Sequence, residues 1–354
     1  MIFRTPFYYD KFRCIADKCK DNCCIGWEID IDDTTAQKYR KVTGNFGKRL
    51  IENIDFSEHP CFILGENERC PFLNDRNLCD IITELGENCL CQICDDHPRY
   101  YEWFGNVKEG GIGMCCEAAA EIILNSPLPF TCTEFHIDEE NSPPCDEYLY
   151  NLIFNLRERI INILNDENIH LSSALSHIIE IAAVYQDCAD NNRPEPDTIP
   201  EITAGTADIE SILRFMTTLE YISERRIPIL LQAIERIDEL RLKKETFVSE
   251  NQFTDQYLRN TAIYYIWRHL MKGIFEGEFY SRVIFSVTST IIAMLLWEMK
   301  WIDSGLSAAD CIEIAKDYSK EIEYNEDNTD AMLNAAYEIC GMQADSLIDI
   351  LKGR

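Results

Sequence analysis

Of the seventeen cysteines in this chain, fourteen fall before position 146. That bias constrains the fold more than any other feature, because two halves so unlike in thiol content are ordered by different means. An odd total forbids complete internal pairing. The opening MIFRTPFYYDKFRC lacks the uninterrupted apolar stretch of a secretory signal. The chain is therefore expected to be cytoplasmic, with reduced thiols that serve as metal or iron–sulfur ligands before they serve as disulfides.

A length of 354 residues suggests two domains, and 46% hydrophobic content is enough to build sizeable cores. Sixty-two acidic against thirty-three basic residues give a net charge of -29. Nucleic acid is excluded as a main partner, since phosphate binding needs a basic footprint. Anionic membrane surfaces are disfavoured for the same reason. The longest apolar-leaning uncharged run, Val283 to Trp297, contains Ser286, Thr288, Ser289 and Thr290. It is shorter than the roughly 18 residues of a membrane span and reads as a buried helix, so no membrane partner is expected.

The fold class expected is mainly α: an irregular, cysteine-rich, metal-binding amino-terminal domain (1–145) with little strand, then an all-helical domain (146–354). In the first, Trp27-Glu-Ile-Asp-Ile-Asp alternates like a brief strand, and Asp33-Thr-Thr caps a helix running toward Val42. The segment Ser142-Pro-Pro-Cys145 marks the boundary, because two prolines interrupt regular structure. Beyond it, Leu149, Leu152, Ile153, Leu156, Ile160, Ile163 and Leu164 recur at three- and four-residue steps. Similar stripes cover about 171–187, 208–223, 227–242, 253–273, 278–299, 307–319 and 328–352. Aromatics such as Tyr257, Tyr264, Tyr265, Trp267, Phe275 and Phe285 are expected in the core. His177 and His269 are expected as satisfied core histidines, and Glu321, Glu323, Glu326 and Asp327 as solvated acids.

The cysteines form three groups: Cys14-x4-Cys19-x3-Cys23-Cys24; Cys70 and Cys79 followed by Cys89, Cys91 and Cys94; and the pair Cys115-Cys116. Thiolates a few residues apart converge on one ion, and groups about fifty residues apart cross-link loops, as in small metal domains. Zinc and a four-iron cluster both use four cysteines, so ligand number leaves the two open.

The segments FRCIADKCKDNCCIGWEIDID, CPFLNDRNLCDI, LGENCLCQICDDHPRYY and CCEAAAEIIL resemble, in order and spacing, the flagellin lysine-N-methylase family. They are also similar to small cysteine-rich domains proposed to chelate zinc or iron. The strong matches cover roughly residues 8–124. By motif, the family's cysteines fall on Cys14, Cys19, Cys23, Cys24, Cys70, Cys79, Cys94 and Cys115. Cys116 stands where relatives carry proline, and Cys89 and Cys91 are extra to the pattern. The resemblance implies a [4Fe-4S] cluster, with zinc as the alternative, in a bacterial protein-lysine N-methyltransferase. Its methyl donor would be S-adenosylmethionine and its protein substrate flagellin.

Asp95, Asp96, His97, Arg99, Tyr100, Tyr101 and Glu117 lie beside these thiols. Of them, Arg99, His97, Tyr100 and Glu117 are the catalytic candidates, Arg99 because a guanidinium suits thiolates or a cofactor carboxylate. Neither common signature of the methyl donor is present. Glu109-Gly-Gly-Ile-Gly113 follows a poor strand and reads as a turn rather than a cofactor loop. A C-x3-C-x2-C motif starting at Cys19 would need its third cysteine at Gly26. A second class of function therefore stands beside the enzyme: a zinc- or iron–sulfur-stapled interaction module or redox sensor. Disulfide exchange at Cys91-x2-Cys94 lacks a thioredoxin-like surround.

Overall fold

The structure, a computed structural model, describes residues 1–353 except Asn141, Asp197 and Ala204. The cysteine-rich part opens with strand β1 (Ile2–Pro6) and short helices α1 (Asp33–Tyr39) and α2 (Gly44–Glu52). A small ladder, β2 (Ile54–Asp55) with β3 (Cys61–Phe62), then precedes helices α3 (Asp80–Leu85) and α4 (Gln92–Asp96). Strands β4 (Arg99–Phe104) and β5 (Val107–Ile112), helix α5 (Glu117–Leu124) and strand β6 (Cys132–His136) follow.

Four of these strands form one sheet in the order β4-β5-β1-β6. Strand β1 runs parallel to β5, with Ile2 opposite Val107, and antiparallel to β6, with Phe3 opposite Phe135. Strand remains a small part of the fold, but this sheet gives the amino-terminal part a regular element that the expectation of an irregular domain lacks. Glu109 to Ile112 are part of strand β5 rather than a turn. The glycines there make room for aromatic rings: a Cβ on Gly110 would sit 2.8 Å from the Phe3 ring. The Trp27–Asp32 alternation does bury Ile29 and Ile31, but the segment pairs only through an isolated bridge, Asp30 with Cys61. Asp32, not Asp33, caps α1 by accepting the Thr35 amide at 2.9 Å.

The rest of the chain is helical, as its periodicity predicts. It comprises α6 (Glu147–Asn165), α7 (Leu171–Asp190), α8 (Ile209–Met216), α9 (Arg226–Glu235), α10 (Ile237–Glu250), α11 (Phe253–His269) and α12 (Gly273–Glu276). The long α13 (Tyr280–Ser304), α14 (Ala308–Glu323), α15 (Glu326–Glu338) and α16 (Ala344–Leu351) complete it. By length and composition α13 could cross a membrane, yet 89% of its apolar window is buried within the fold. Phe275 is an exception among the expected core aromatics, 60% exposed on the short helix α12. His177 is another: its side chain is 45% exposed and pairs with Glu180.

Two apolar cores result. The smaller gathers Ile29, Tyr39, Leu50, Phe62 and Phe72 with the thiols of Cys70 and Cys91. The larger joins the sheet and α5 to the helices, drawing Phe104, Ile112 and Ala119 together with Leu156, Trp267 and Ile292. A buried ion triad reinforces that junction. Arg157 of α6 donates twice to Glu109 of β5, at 2.5 and 2.6 Å, and Arg4 of β1 adds a third bond at 2.9 Å. The pairing compensates charges that would otherwise be costly to bury.

Glu298 of α13 is not compensated in this way. It is 4% exposed, its Oε1 finds no partner among the described residues, and burial raises its carboxyl to about 7 against the weaker pull of Lys244. An acid whose folded pKa is raised stabilises the fold at low pH and loses that contribution as pH climbs through the folded value. Glu298→Gln is therefore expected to raise stability by about 2 kcal/mol at pH 8.5 and by little at pH 5. Urea melts at the two pH values measure this.

Candidate functional site

A cleft of about 540 Å³ lies where the cysteine-rich part meets α11 and α14. That volume suits a small ligand or an inserted side chain. One wall is the stretch from α4 into β4, which brings the sequence candidates His97, Arg99 and Tyr100 together with Asp96 and Tyr101. Trp27, Asp30 and Asp32 come from the loop after the first cysteine group. The helical part supplies Arg268, in the last turn of α11, and Tyr324, the residue that ends α14. Glu117 stands elsewhere, accepting the Lys20 amide at 2.7 Å at the start of α5. Asp95 is exposed and is not part of the lining.

The floor of the cleft is a buried polar network. The Glu323 side chain has no exposed surface; it pairs with Arg268 Nε at 3.0 Å and accepts from His269 Nε2 at 2.8 Å. It also accepts from the Tyr264 hydroxyl at 3.0 Å and from Ser319. Burial alone would raise the Glu323 carboxyl, but Arg268 and His269 outweigh it and hold it below the usual range. Burial likewise lowers His269 to about 4, so a neutral imidazole donates to the carboxylate. Arg268 also donates to Tyr264 at 2.9 Å and lies 4.6 Å above the Tyr100 ring. Glu321 is buried too, and accepts the Ile222 and Ser223 amides at 2.7 and 3.0 Å. The expected solvation of Glu321 and Glu323 is thus corrected, while Glu326 and Asp327 are exposed as expected.

This network is tied to the third cysteine group. Tyr264 accepts the Met114 amide at 3.0 Å, and the Tyr324 hydroxyl is hydrogen-bonded to Cys115 Sγ at 2.8 Å. Burial pushes the Cys115 thiol up to about 12 despite that bond. His97 packs beside the Trp27 and Tyr324 rings; burial first, then the charges of Lys320 and Arg268, hold it down at about 4 and so neutral.

All seventeen cysteines are free thiols. All four thiols of Cys24, Cys70, Cys79 and Cys94 are raised: Cys24 and Cys94 chiefly by their hydrogen bonds with Cys23 and Cys91 and then by burial, Cys70 and Cys79 chiefly by burial. Each of two further thiols pairs with a neighbour: Cys23 with Cys24, which lowers Cys23 to about 7, and Cys91 with Cys94, which lowers Cys91. Cys116 is within electrostatic reach of both Cys19 and Cys23, and Cys14 is exposed. The donor chemistry suits a thiolate-bound metal or cluster. Even so, among the described residues no three His, Cys, Asp or Glu side chains stand close enough to hold one ion.

Trp27, Arg268, Glu323 and Tyr324 were not singled out by sequence reasoning as site residues. Trp27 does lie within a family-like motif. Arg268 and His269 are polar interruptions at the end of an apolar helix, which is the one signal that could have found them. Tyr100 owes its place to Gly111, since a Cβ there would come within 2.3 Å of the Tyr100 hydroxyl oxygen. Gly111→Ala is expected to displace Tyr100 from beneath Arg268 and to cost about 1–3 kcal/mol, read from a urea melt.

Residues 157–346 match the family model described as the FliB lysine N-methylase C-terminal domain. A lysine-N-methylase of Salmonella typhimurium (strain LT2) is 24% identical over 201 residues, covering 52% of this chain and 47% of that protein. The lysine-N-methylase of Salmonella choleraesuis matches with the same identity and coverage. The flagellar biosynthetic protein FliU of Salmonella muenchen is 28% identical over 129 residues, 34% of this chain and 76% of FliU. The match thus spans about half the length of the two lysine-N-methylases. No solved structure matches the chain.

Proposed function

The chain belongs to the FliB lysine N-methylase family, and from that premise we propose that it methylates lysine side chains of a flagellin-type protein in the bacterial cytoplasm. The observation that carries this reading is the cleft itself. Arg268 and Tyr324 come from the segment that matches the family model, and they meet His97, Tyr100 and Trp27 from the cysteine-motif half.

The chemistry needs an amine without its proton, whereas a free lysine titrates near 10.4. A bound ammonium must therefore give up its proton to a base before it attacks. Asp96, on the cleft wall, is placed to take up the released proton or pass it to water. A sulfonium donor bound here would give up its methyl group to the nitrogen and leave as a neutral thioether. S-adenosylmethionine, the proposed donor, supplies the electrophilic methyl group. Arg268, braced by Glu323, is the group best placed to anchor a carboxylate in the cleft.

Cys24, Cys70, Cys79 and Cys94 are the four thiols we assign to a metal centre, an iron–sulfur cluster or zinc, which would staple the smaller core and, as a cluster, supply electron transfer. The hydrogen-bonded pairs Cys23–Cys24 and Cys91–Cys94 favour one other reading, a redox-sensing module without transferase activity. Calorimetry with S-adenosylmethionine and anaerobically prepared protein separates the two. Saturable one-to-one binding that weakens at least tenfold in Arg268→Ala is expected of the enzyme, and no binding heat is expected of the sensor.

A further inference from the structure

We propose that the corner of the cleft built by Trp27, His97 and Tyr324 is the seat of the lysine head group, and that it holds that group in its methylated, cationic forms. This rests on the methyltransferase reading and names where the acceptor, rather than the donor, is bound.

The three rings come from three separate segments and stand at nearly equal spacing. Ring centroids are 6.0 Å apart for Trp27 and His97, 6.1 Å for Trp27 and Tyr324, and 6.2 Å for His97 and Tyr324. Interplanar angles of 33°, 82° and 59° show rings inclined to one another rather than stacked, and all three are part of the cleft lining. A cation about 3 Å above the plane of the three centroids would lie about 4.6 Å from each, inside the roughly 6 Å reach of a cation–π contact. One ring offers such a contact to any cation. Three rings around one point suit a compact, methyl-covered ammonium, which offers few N–H donors and loses little on leaving water.

Charge in the cleft points the same way. Asp30, Asp32 and Asp96 are part of the lining and no lysine is, while the positive charges of Lys320 and Arg268 also reach His97. Of its two arginines, Arg268 is charge-paired with Glu323, and Arg99 lies over the Tyr9 and Phe12 rings at 5.8 and 5.1 Å. The lip carries exposed Asp30, Gln92 and Trp103, so a side chain on a long stem can enter from a protein surface. A lysine stem has that reach, and a planar guanidinium would instead want one ring and a bidentate carboxylate. Retention of partly methylated lysine in this corner would favour repeated methylation of one residue before release.

The test is a binding measurement on the full chain that needs no turnover. Four probes are titrated: one short peptide carrying lysine, the same peptide with trimethyl-lysine, its uncharged tert-butyl isostere, and S-adenosylmethionine. The trimethyl-lysine peptide is expected to bind at least tenfold more tightly than the isostere. Trp27→Ala and Tyr324→Ala are expected to lose at least tenfold, with Trp27→Phe restoring part of the loss. If Trp27→Ala fails to fold, uniform replacement of tryptophan by fluorinated tryptophans keeps the shape and weakens the ring's negative face. Affinity for the charged peptide should then fall stepwise with fluorine number while that for the isostere stays constant. Equal binding of charged and uncharged peptides overturns the proposal. So does a loss in Trp27→Ala confined to S-adenosylmethionine, which would put the sulfonium in the corner. A chain that binds as expected but transfers no methyl group sinks the enzyme reading and leaves the corner standing. Methyl transfer with charge-blind peptide binding does the reverse.

Discussion

Glu323→Ala is expected to destabilise the protein by about 3–5 kcal/mol, the cost of leaving a buried charge without its partner. The carboxylate is the shared acceptor for Arg268, His269, Tyr264 and Ser319, and its side chain has no exposed surface. Its removal strands the Arg268 guanidinium, whose side chain is only 14% exposed, beside the Tyr100 ring. The same carboxylate shapes the response to acid. Because its folded pKa is lowered, its contribution is present above the usual carboxylate range and lost as pH falls through the folded value. His97 and His269, held near 4 in the fold, act in the same direction over a higher window. Unfolding lets them take up protons below about 6.5, so stability should fall from pH 7 toward pH 4. Urea midpoints across that range check both statements. A Glu323→Ala midpoint equal to that of the parent would mean that Arg268 is solvated through the cleft and that the network does not brace it.

The second large effect concerns the thiols. On the proposed assignment of a metal centre, Cys94→Ser is expected to abolish metal retention and to unfold the smaller core, while the helices stay intact. Structural metals contribute on the order of 10 kcal/mol to small domains, far more than an apolar core of this size could replace. Cys132→Ser, on exposed strand β6, serves as the control and should retain metal. Metal and sulfide analysis of anaerobically prepared protein reads the first effect, and limited proteolysis between residues 24 and 94 reads the second. Four irons with sulfide identify a cluster, and one zinc without sulfide a structural staple. Full metal content in Cys94→Ser would remove that residue from the ligand set.

The helical half was legible because its signal is local. A stripe such as Leu152, Leu156 and Ile160 recurs within one helix and needs no knowledge of what it packs against. Two of the predicted stripes each split into a pair of helices, at Arg236 and at Cys340, where the chain turns without a proline to mark it. The sheet was not legible because β1 pairs with β5 and β6, more than a hundred residues away. The glycines of β5 also imitate a loop, although they are there to admit Phe3 and Tyr100. In the site, His97, Arg99 and Tyr100 stood out because they follow a cysteine motif. Glu323 and Tyr324 lie in a run of acids that looks solvated. Only the fold brings them to Arg268 and Cys115, so pairing rather than composition decides that they are buried.

The central claim is that this chain places methyl groups on protein lysines. Mass spectrometry of flagellin co-expressed with the chain under anaerobic conditions tests it most directly. Lysines bearing added 14-dalton units, absent without the chain and lost in its Trp27→Ala variant, are the expected result. Flagellin with no methylated lysine, from cells in which the chain is folded and loaded with metal, would contradict it.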